Sequence, residues 1–506
     1  MFWNALLLPL ITVFNLAAAV LIRRYFGLES GLYDALLGVL NTLLAYTAFG
    51  IPSCFPQFLP GLEMAGDRSP VWAFIRRAGS VRLGLLALAL VPFNLLAEPL
   101  AGRLSLGPQG PALLHMLSVL VILRAANDLA VKSLQALLAH LWANLLLFLQ
   151  ALLVAAALVF TFAQGLGMQE LVTALTVVAA VVLAVGTTMV ARGVRSVAVH
   201  RPRPAGAAEQ PDPTRLSARR VGGFAAFMYL FELANYFALP AFASTALMAA
   251  TGDMGQVALF NVGFQFPIMV VVVMLAGFQG LYRPMFAGLF SQGDLHRVCT
   301  AFREVSKVQA VLLLPAGAGL AIMVGDYVPL LFGPQFAPAV PVARILCVFL
   351  FTESLFNLGS IMLSVDHRYA PVLAAQSLRI LAAPIFVWVA ANGQLLLATT
   401  VFGAGRLMAA LIGYLIARRR YGIRFPLGFV ARVAGLAFFM AVVVGAARYP
   451  FQPSWAEAAA VTVLGAALVV AGFRWLRILG RREIELLERA QLPGGSLIIG
   501  WLTPRS

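Results

Sequence analysis

The sequence predicts an all-α polytopic membrane protein of about fourteen transmembrane helices, and three observations predict it. Of the 506 residues, 61% are hydrophobic and only 11% are charged. Apolar runs of roughly 20 residues, the length that crosses a bilayer as a helix, recur from one end of the chain to the other. No stretch between them is long enough to bury a core of its own, and a water-soluble chain of this size needs far more charge to cover its surface.

Spans are expected at 3–22, 32–58, 81–100, 112–136, 141–162, 171–192, 220–247, 256–280, 305–324, 338–363, 370–390, 394–416, 427–447 and 456–478. Pro9, Pro52, Pro267 and Pro315 fall inside these runs. Within a membrane they are tolerated, because neighbouring helices can satisfy the backbone groups they free.

A net charge of +16 suggests nucleic acid until its distribution is read. With the N-terminus inside, the inner connections take Arg68, Arg76, Arg77, Arg82, Lys132, the seven arginines from Arg192 to Arg220, Arg283, Arg297, Arg303, Lys307 and Arg368. They also take Arg418 to Arg420, Arg424, Arg432 and the tail from Arg474 onward, making 28 of the 36 basic residues. The outer connections hold only Arg23, Arg24, Arg103 and Arg448. Retention of positive residues in the cytoplasm therefore orients the chain N-in and C-in, with Arg23 and Arg24 a local exception, and no nucleic-acid partner is expected.

Cys54, Cys299 and Cys347 are odd in number and lie in spans or inner connections, which supports neither a disulfide framework nor a thiolate metal site. The five histidines are scattered without ligand spacing, so no metal or other cofactor is expected. The first apolar run lacks a basic leader and a small-residue cleavage site, so no cleavable signal peptide is expected.

The strip "AGLFSQGDLHRVCTAFRE" at 287–304 has a looser counterpart, "PGLEMAGDRSPVWAFIRR" at 60–77. A shift of 227 positions, without gaps, aligns Gly50 with Gly277, Gly61 with Gly288, Gly66 with Gly293, Asp67 with Asp294 and Arg76 with Arg303. Gly-Asp is also ordinary turn chemistry. A duplication of six helices, an even number, would give two lobes in one orientation, a parallel repeat. The expected organisation is an N-lobe over 1–200, a Pro- and Ala-rich cytoplasmic linker over 201–218, a C-lobe over 219–420, two further spans over 421–480 and a cytoplasmic tail over 481–506.

"LIRRYFGLESGLYDALLGVL" followed by "FGIPSCFPQFLPGLEMAGD", and later "VALFNVGFQF", "LYRPMFAGLFSQGD" and "PLLFGPQFAPAV", resemble the polysaccharide-exporter (Wzx-type) branch of the multidrug/oligosaccharidyl-lipid/polysaccharide (MOP) exporter superfamily. The resemblance covers residues 1 to about 420. It implies a flippase of the cell inner membrane that carries polyprenyl-diphosphate-linked oligosaccharide from the cytoplasmic to the periplasmic leaflet by alternating access. It also implies membrane lipids and polysaccharide polymerase or assembly proteins as partners, with coupling open between protons and sodium. In one departure, many relatives carry an acidic residue late in the seventh span, where this chain reads "FASTALM".

Charged side chains inside spans are costly unless they are paired or face water, which makes each one a functional candidate. Those expected within spans are Arg124, Asp128, Glu232, Arg344, Glu353, Arg379 and Arg406. Arg124, Asp128 and Lys132 lie on one stripe of the fourth span. Asn235 shares a face with Glu232, Asn357 with Glu353, and Gln265 with Asn261; Asp34 and the pair Arg23 and Arg24 complete the candidate set. Together they suggest a wet, slightly positive cavity between lobes, suited to a diphosphate, whose oxygens match guanidinium forks bidentately. Arg124 with Asp128 reads equally well as a structural ion pair. Arg379 and Arg406 have no acid in their own spans and require either substrate or a carboxylate from another helix. A cation-coupled multidrug antiporter of the same superfamily would want a predominantly acidic, aromatic cavity. A membrane glycosyltransferase or polymerase would want a large outer loop, and none is present; a transporter, not an enzyme, is expected.

Overall fold

The structure, a computed structural model, describes residues 2–64, 68–196, 218–366, 368–448 and 454–476. Most of the expected linker, the Gly66 and Asp67 copy of the repeated turn, and the tail from 481 lie outside the described residues. Among the described residues the regular structure is entirely helical. The chain divides into two compact units, Met1–Val257 and Ala258–Ser506.

The first unit contains α1 (Phe2–Phe26), α2 (Ser30–Tyr46), α3 (Ile51–Met64), α4 (Arg68–Leu95), α5 (Ala97–Arg103), α6 (Gly110–Ala136), α7 (His140–Ala163), α8 (Met168–Ser196), α9 (Ala218–Tyr236) and α10 (Pro240–Thr251). Apart from the first turn of α11, the second holds α11 (Met254–Ser291), α12 (Leu295–Phe332), α13 (Val340–Phe356), α14 (Leu358–Val365), α15 (Tyr369–Ala391), α16 (Leu395–Tyr421), α17 (Leu427–Arg448) and α18 (Trp455–Trp475). Twelve helical stretches among the described residues are long and apolar enough to cross a membrane, the first of them running through both α1 and α2. The pair α9 and α10, bent by 60°, is long and apolar enough when taken together to form a further, broken span or a re-entrant loop. Each of the fourteen apolar segments of the sequence is thus helical, in a multi-pass membrane protein.

Helix ends follow local chemistry. Asp294 caps α12 by accepting from the Arg297 amide at 3.0 Å, and Ser454 caps α18 by accepting from the Glu457 amide at 3.2 Å, each satisfying an otherwise orphan donor. Gly293, just before Asp294, has φ +70°, so at this copy of the repeated strip Gly-Asp makes the turn and starts the helix. The helices on either side, α11 and α12, have 38 residues each. At about 1.5 Å per residue each is close to twice as long as the roughly 30 Å hydrocarbon layer is thick.

Four segments that read as single spans are broken. The expected span 32–58 divides at Thr47–Gly50 into α2 and α3, 81–100 divides at Leu96 into α4 and α5, 220–247 divides into α9 and α10, and 338–363 divides at Asn357 into α13 and α14. The first break depends on Gly50, whose φ is +66°; a Cβ there would stand 2.0 Å from the Ala225 carbonyl oxygen of α9. Only glycine allows both the left-handed turn and this close approach.

In the first unit α6 is central, packing on α2, α3, α4, α5, α7 and α8, while α1 lies on α7 and α2 on α10. Phe55, Leu59, Leu134 and Leu146 are buried together in one apolar cluster of this unit. In the second unit α16 packs on α13, α14 and α15, and α12 packs on α13, α17 and α18. The two C-terminal helices are fastened to α12 by apolar contacts of Met323 with Met440, Val444 and Val461 and by a bidentate ion pair. In that pair, Arg448 Nε and Nη2 donate to Asp326 at 2.5 and 2.6 Å. Gly325 makes room for the guanidinium, since a Cβ there would lie 2.9 Å from it.

Two outcomes are expected from thermal unfolding of detergent-purified protein. Gly50→Ala should destabilise the first unit by about 2 kcal/mol or more, since the left-handed conformation alone costs roughly 1–2 kcal/mol for a residue with a Cβ. Arg448→Ala should leave the buried Asp326 carboxylate unpaired. Breaking a buried pair costs about 3–5 kcal/mol, and because the Arg448 side chain keeps 32% exposure a loss nearer 2 kcal/mol is expected after solvent screening. Asp326→Asn in the same chain should recover part of it.

Candidate functional site

In the second unit, three sequence candidates converge on one point. Arg379 Nη2 of α15 donates to Glu353 Oε1 of α13 at 3.0 Å, and Arg406 Nε of α16 donates to Glu353 Oε2 at 2.7 Å. The Glu353 and Arg379 side chains are each 7% exposed and that of Arg406 13%. The Arg406 guanidinium also lies over the rings of Phe264 and Phe402, at 5.5 and 5.8 Å from their centroids, where the ring faces attract a cation.

Small residues bring these groups together. A Cβ on Gly403 would meet Phe349 of α13 at 2.5 Å, and one on Gly405 would meet Ala382 of α15 at 2.7 Å. Because α16 is bare at these two positions, α13 and α15 approach it closely enough for both arginines to reach the same carboxylate. The result is two guanidiniums sharing one carboxylate, a buried group with a formal charge of +1. The interhelical acid that Arg379 and Arg406 required is Glu353.

In the first unit two arginine–carboxylate pairs are made one to one. Arg23 Nη2 of α1 donates to both Asp34 oxygens of α2, at 2.9 and 2.8 Å, with both side chains buried. The neighbouring Arg24 is exposed. Asp128 of α6 pairs with Arg82 of α4 at 2.7 Å, not with Arg124, which lies on the same helix. Arg124 is half-buried and interacts electrostatically with Tyr33 of α2. Glu232 of α9 accepts from Ser53 Oγ of α3 at 2.5 Å and lies within electrostatic range of Arg82, Asp128 and Lys132. Ser53, Arg82, Asp128, Lys132 and Glu232 therefore form one polar cluster across α3, α4, α6 and α9.

Asn235 on α9, and Asn261 and Gln265 on α11, are half-buried. Arg344 is exposed and donates Nε to the Ala321 carbonyl at 3.2 Å. Among the described residues no group of three His, Cys, Asp or Glu side chains could hold a metal ion.

Two buried ionised residues were misplaced by the sequence. Arg82 was expected among cytoplasmic topology residues, yet it lies midway along α4 and is buried against Asp128. The signal was the start of that helix, where Ser69-Pro70 opens a continuous run well before residue 81. Asp326 falls just beyond the expected ninth span, 305–324, and Arg448 was expected in an outer connection. The apolar run in fact resumes as "YVPLLF" after Asp326, which places the carboxylate inside α12.

No family model matches this sequence, and no curated protein matches it. Solved structures do match its fold. A lipid II flippase, MurJ, in an inward closed conformation superposes with a TM-score of 0.67 at 10% identity, over 94% of this chain and 100% of the other. An inward-facing MATE family multidrug resistance transporter of the MOP superfamily gives 0.63 at 17% identity, covering 81% of this chain and 94% of its own. A MOP superfamily transporter from Pyrococcus furiosus, described as having a binding pocket of reverse polarity, gives 0.52 at 17% identity, covering 83% of this chain and 95% of its own. These neighbours are flippases and transporters. The chain shares its fold with these lipid flippase and multidrug transporter structures.

Proposed function

We propose that this protein is a flippase for an amphiphile with an anionic head, a polyprenyl-diphosphate-linked oligosaccharide, moved by alternating access from the cytoplasmic to the periplasmic leaflet of the inner membrane. In this reading both termini are cytoplasmic. The observation that carries it is the group in which Arg379 and Arg406 share Glu353. Its excess positive charge suits a phosphate, and a guanidinium released from Glu353 can bind phosphate oxygens in the same bidentate geometry.

The carboxylate has a role in release as well as in binding. A ligand phosphate that takes over one arginine leaves Glu353 with the other, so neither partner is left alone at any stage. Protonation of Glu353, or of Glu232 in the first unit, would change how strongly each holds its cation or hydroxyl partner. This is the step at which coupling to protons or sodium would act. Polysaccharide polymerase or assembly proteins are the expected partners downstream. A cationic-drug antiporter of the same fold would require an acidic site, which the two-arginine group disfavours.

Glu353→Gln is expected to destabilise the second unit by about 3 kcal/mol, since it leaves two desolvated guanidiniums without their shared charge; thermal unfolding in detergent measures it. In cells whose surface polysaccharide depends on the protein, Arg379→Lys and Arg406→Lys should impair export and Arg→Ala should abolish it, with the protein still inserted and abundant. Lysine keeps the charge but loses the planar fork. Full export by the Arg379→Ala, Arg406→Ala double variant would show that the head group is read elsewhere.

A further inference from the structure

The first unit contains a cleft of about 570 Å³ whose walls come from α3, α4 and α9. That volume is typical of small-molecule sites, roughly 300–1,000 Å³. Helix α3 forms its floor. Phe55 of α3 meets Phe74 of α4 edge to face, with centroids 5.6 Å apart, and Phe58 of α3 meets Phe224 of α9 at 5.4 Å. These two aromatic contacts pack α4 and α9 each against α3. Gly222 and Ala225 leave the α9 side open, and a Cβ on Gly222 would meet nothing within 4 Å.

Three properties of the lining define what fits. It is mainly apolar, and Arg77 is the one charged residue among the described residues that form it. Arg77 is exposed, so its guanidinium can stay at the solvent-facing side of the cleft while the aliphatic stem lies along the apolar wall. On the α4 side the lining runs from Pro70 to Val81 at helical spacing, a rise of about 16 Å, with Arg77 about 10 Å from the Pro70 end and about 6 Å from the Val81 end. An apolar cleft with a single cation partway along one wall complements a hydrocarbon chain joined to an anionic head.

We infer that this cleft is a lipid-binding site that takes one acyl chain of an anionic phospholipid from the surrounding bilayer, with the lipid phosphate on Arg77. The site does not depend on the cargo proposed above, because Glu353, Arg379 and Arg406 belong to the other unit. Its inner end does adjoin the polar cluster of the first unit. Ile51 and Cys54 line the cleft on either side of Ser53, which donates to Glu232, and Val81 lines it next to Arg82, which pairs with Asp128. A chain filling the cleft would shield that cluster from water on one side, so occupancy would tie the identity of the bilayer to the environment of Glu232.

The test is native mass spectrometry of the full-length protein, purified in detergent and equilibrated with equal amounts of phosphatidylglycerol and phosphatidylcholine, with polyprenyl phosphate as a third competitor. Wild type should retain phosphatidylglycerol over phosphatidylcholine. Arg77→Gln should lower that preference about fivefold, the effect of one basic residue at an anionic bilayer surface. Filling the slot with Ala73→Phe and Gly222→Leu should reduce retention of both phospholipids by one molecule per protein. The inference is overturned if Arg77→Gln keeps the wild-type preference, or if the filled variant, melting at the wild-type temperature, still retains as many lipids. It is equally overturned if polyprenyl phosphate displaces phosphatidylglycerol from wild type and not from Arg77→Gln, which would assign the cleft to the cargo lipid. Arg77→Gln changes an exposed side chain, so it remains informative if the filled variant does not fold.

Discussion

An ionised side chain within the hydrocarbon layer needs a partner, and in this protein the partners come from different helices. Arg23 with Asp34, Arg82 with Asp128, Arg448 with Asp326, and Glu353 with two arginines each join helices that are separate in sequence. Apolar side chains drive association only weakly inside a bilayer, because lipid tails are equally apolar. These pairs therefore specify which helices meet and in what register. Small residues complete the specification. Gly403 and Gly405 bring α16 against its neighbours, Gly325 admits Arg448, and Gly50 lets the start of α3 touch α9.

The two units handle charge differently. In the first, buried arginine meets carboxylate one to one, and a matched pair has little reason to exchange partners. In the second, the two-to-one group around Glu353 carries its excess charge in a place where desolvation makes a lone cation expensive. The aromatic faces of Phe264 and Phe402 offset part of that cost at Arg406. A group assembled this way keeps its two guanidiniums paired while holding them beside one carboxylate.

Much of the architecture was legible in the chain. Runs of about 20 apolar residues locate helices almost by themselves, and all fourteen correspond to helices. Intramembrane charge drew attention to Glu353, Arg379 and Arg406 before any coordinates did. What hydropathy could not give was the pairing. Asp128 sits on the same stripe as Arg124, so local spacing favoured a partner on its own helix, whereas the structure supplies Arg82 from α4. The breaks at Thr47–Gly50 and at Asn357 were also hidden, because hydropathy registers the composition of a run and not the direction of its axis. Arg82 and Asp326 were misplaced for a related reason: each sits where a run is briefly interrupted, and a span boundary drawn at the interruption leaves the charge outside.

The break between α9 and α10 has an electrical consequence. A continuous span carries one macrodipole, whose poles lie at the two water interfaces, where they are screened. Dividing it at Tyr236–Pro240 with a bend of 60° creates two shorter dipoles, and the C-terminal pole of α9 then faces the N-terminal pole of α10 inside the span. Each pole is equivalent to about half an elementary charge. The Asn235 and Tyr236 carbonyls turn back to accept from Ala238 and Leu239, and the Tyr236 hydroxyl bonds to Thr42, so the break is lined with oriented polar groups. The break, built from backbone and hydroxyl groups, thus carries a permanent field that no count of charged residues would reveal.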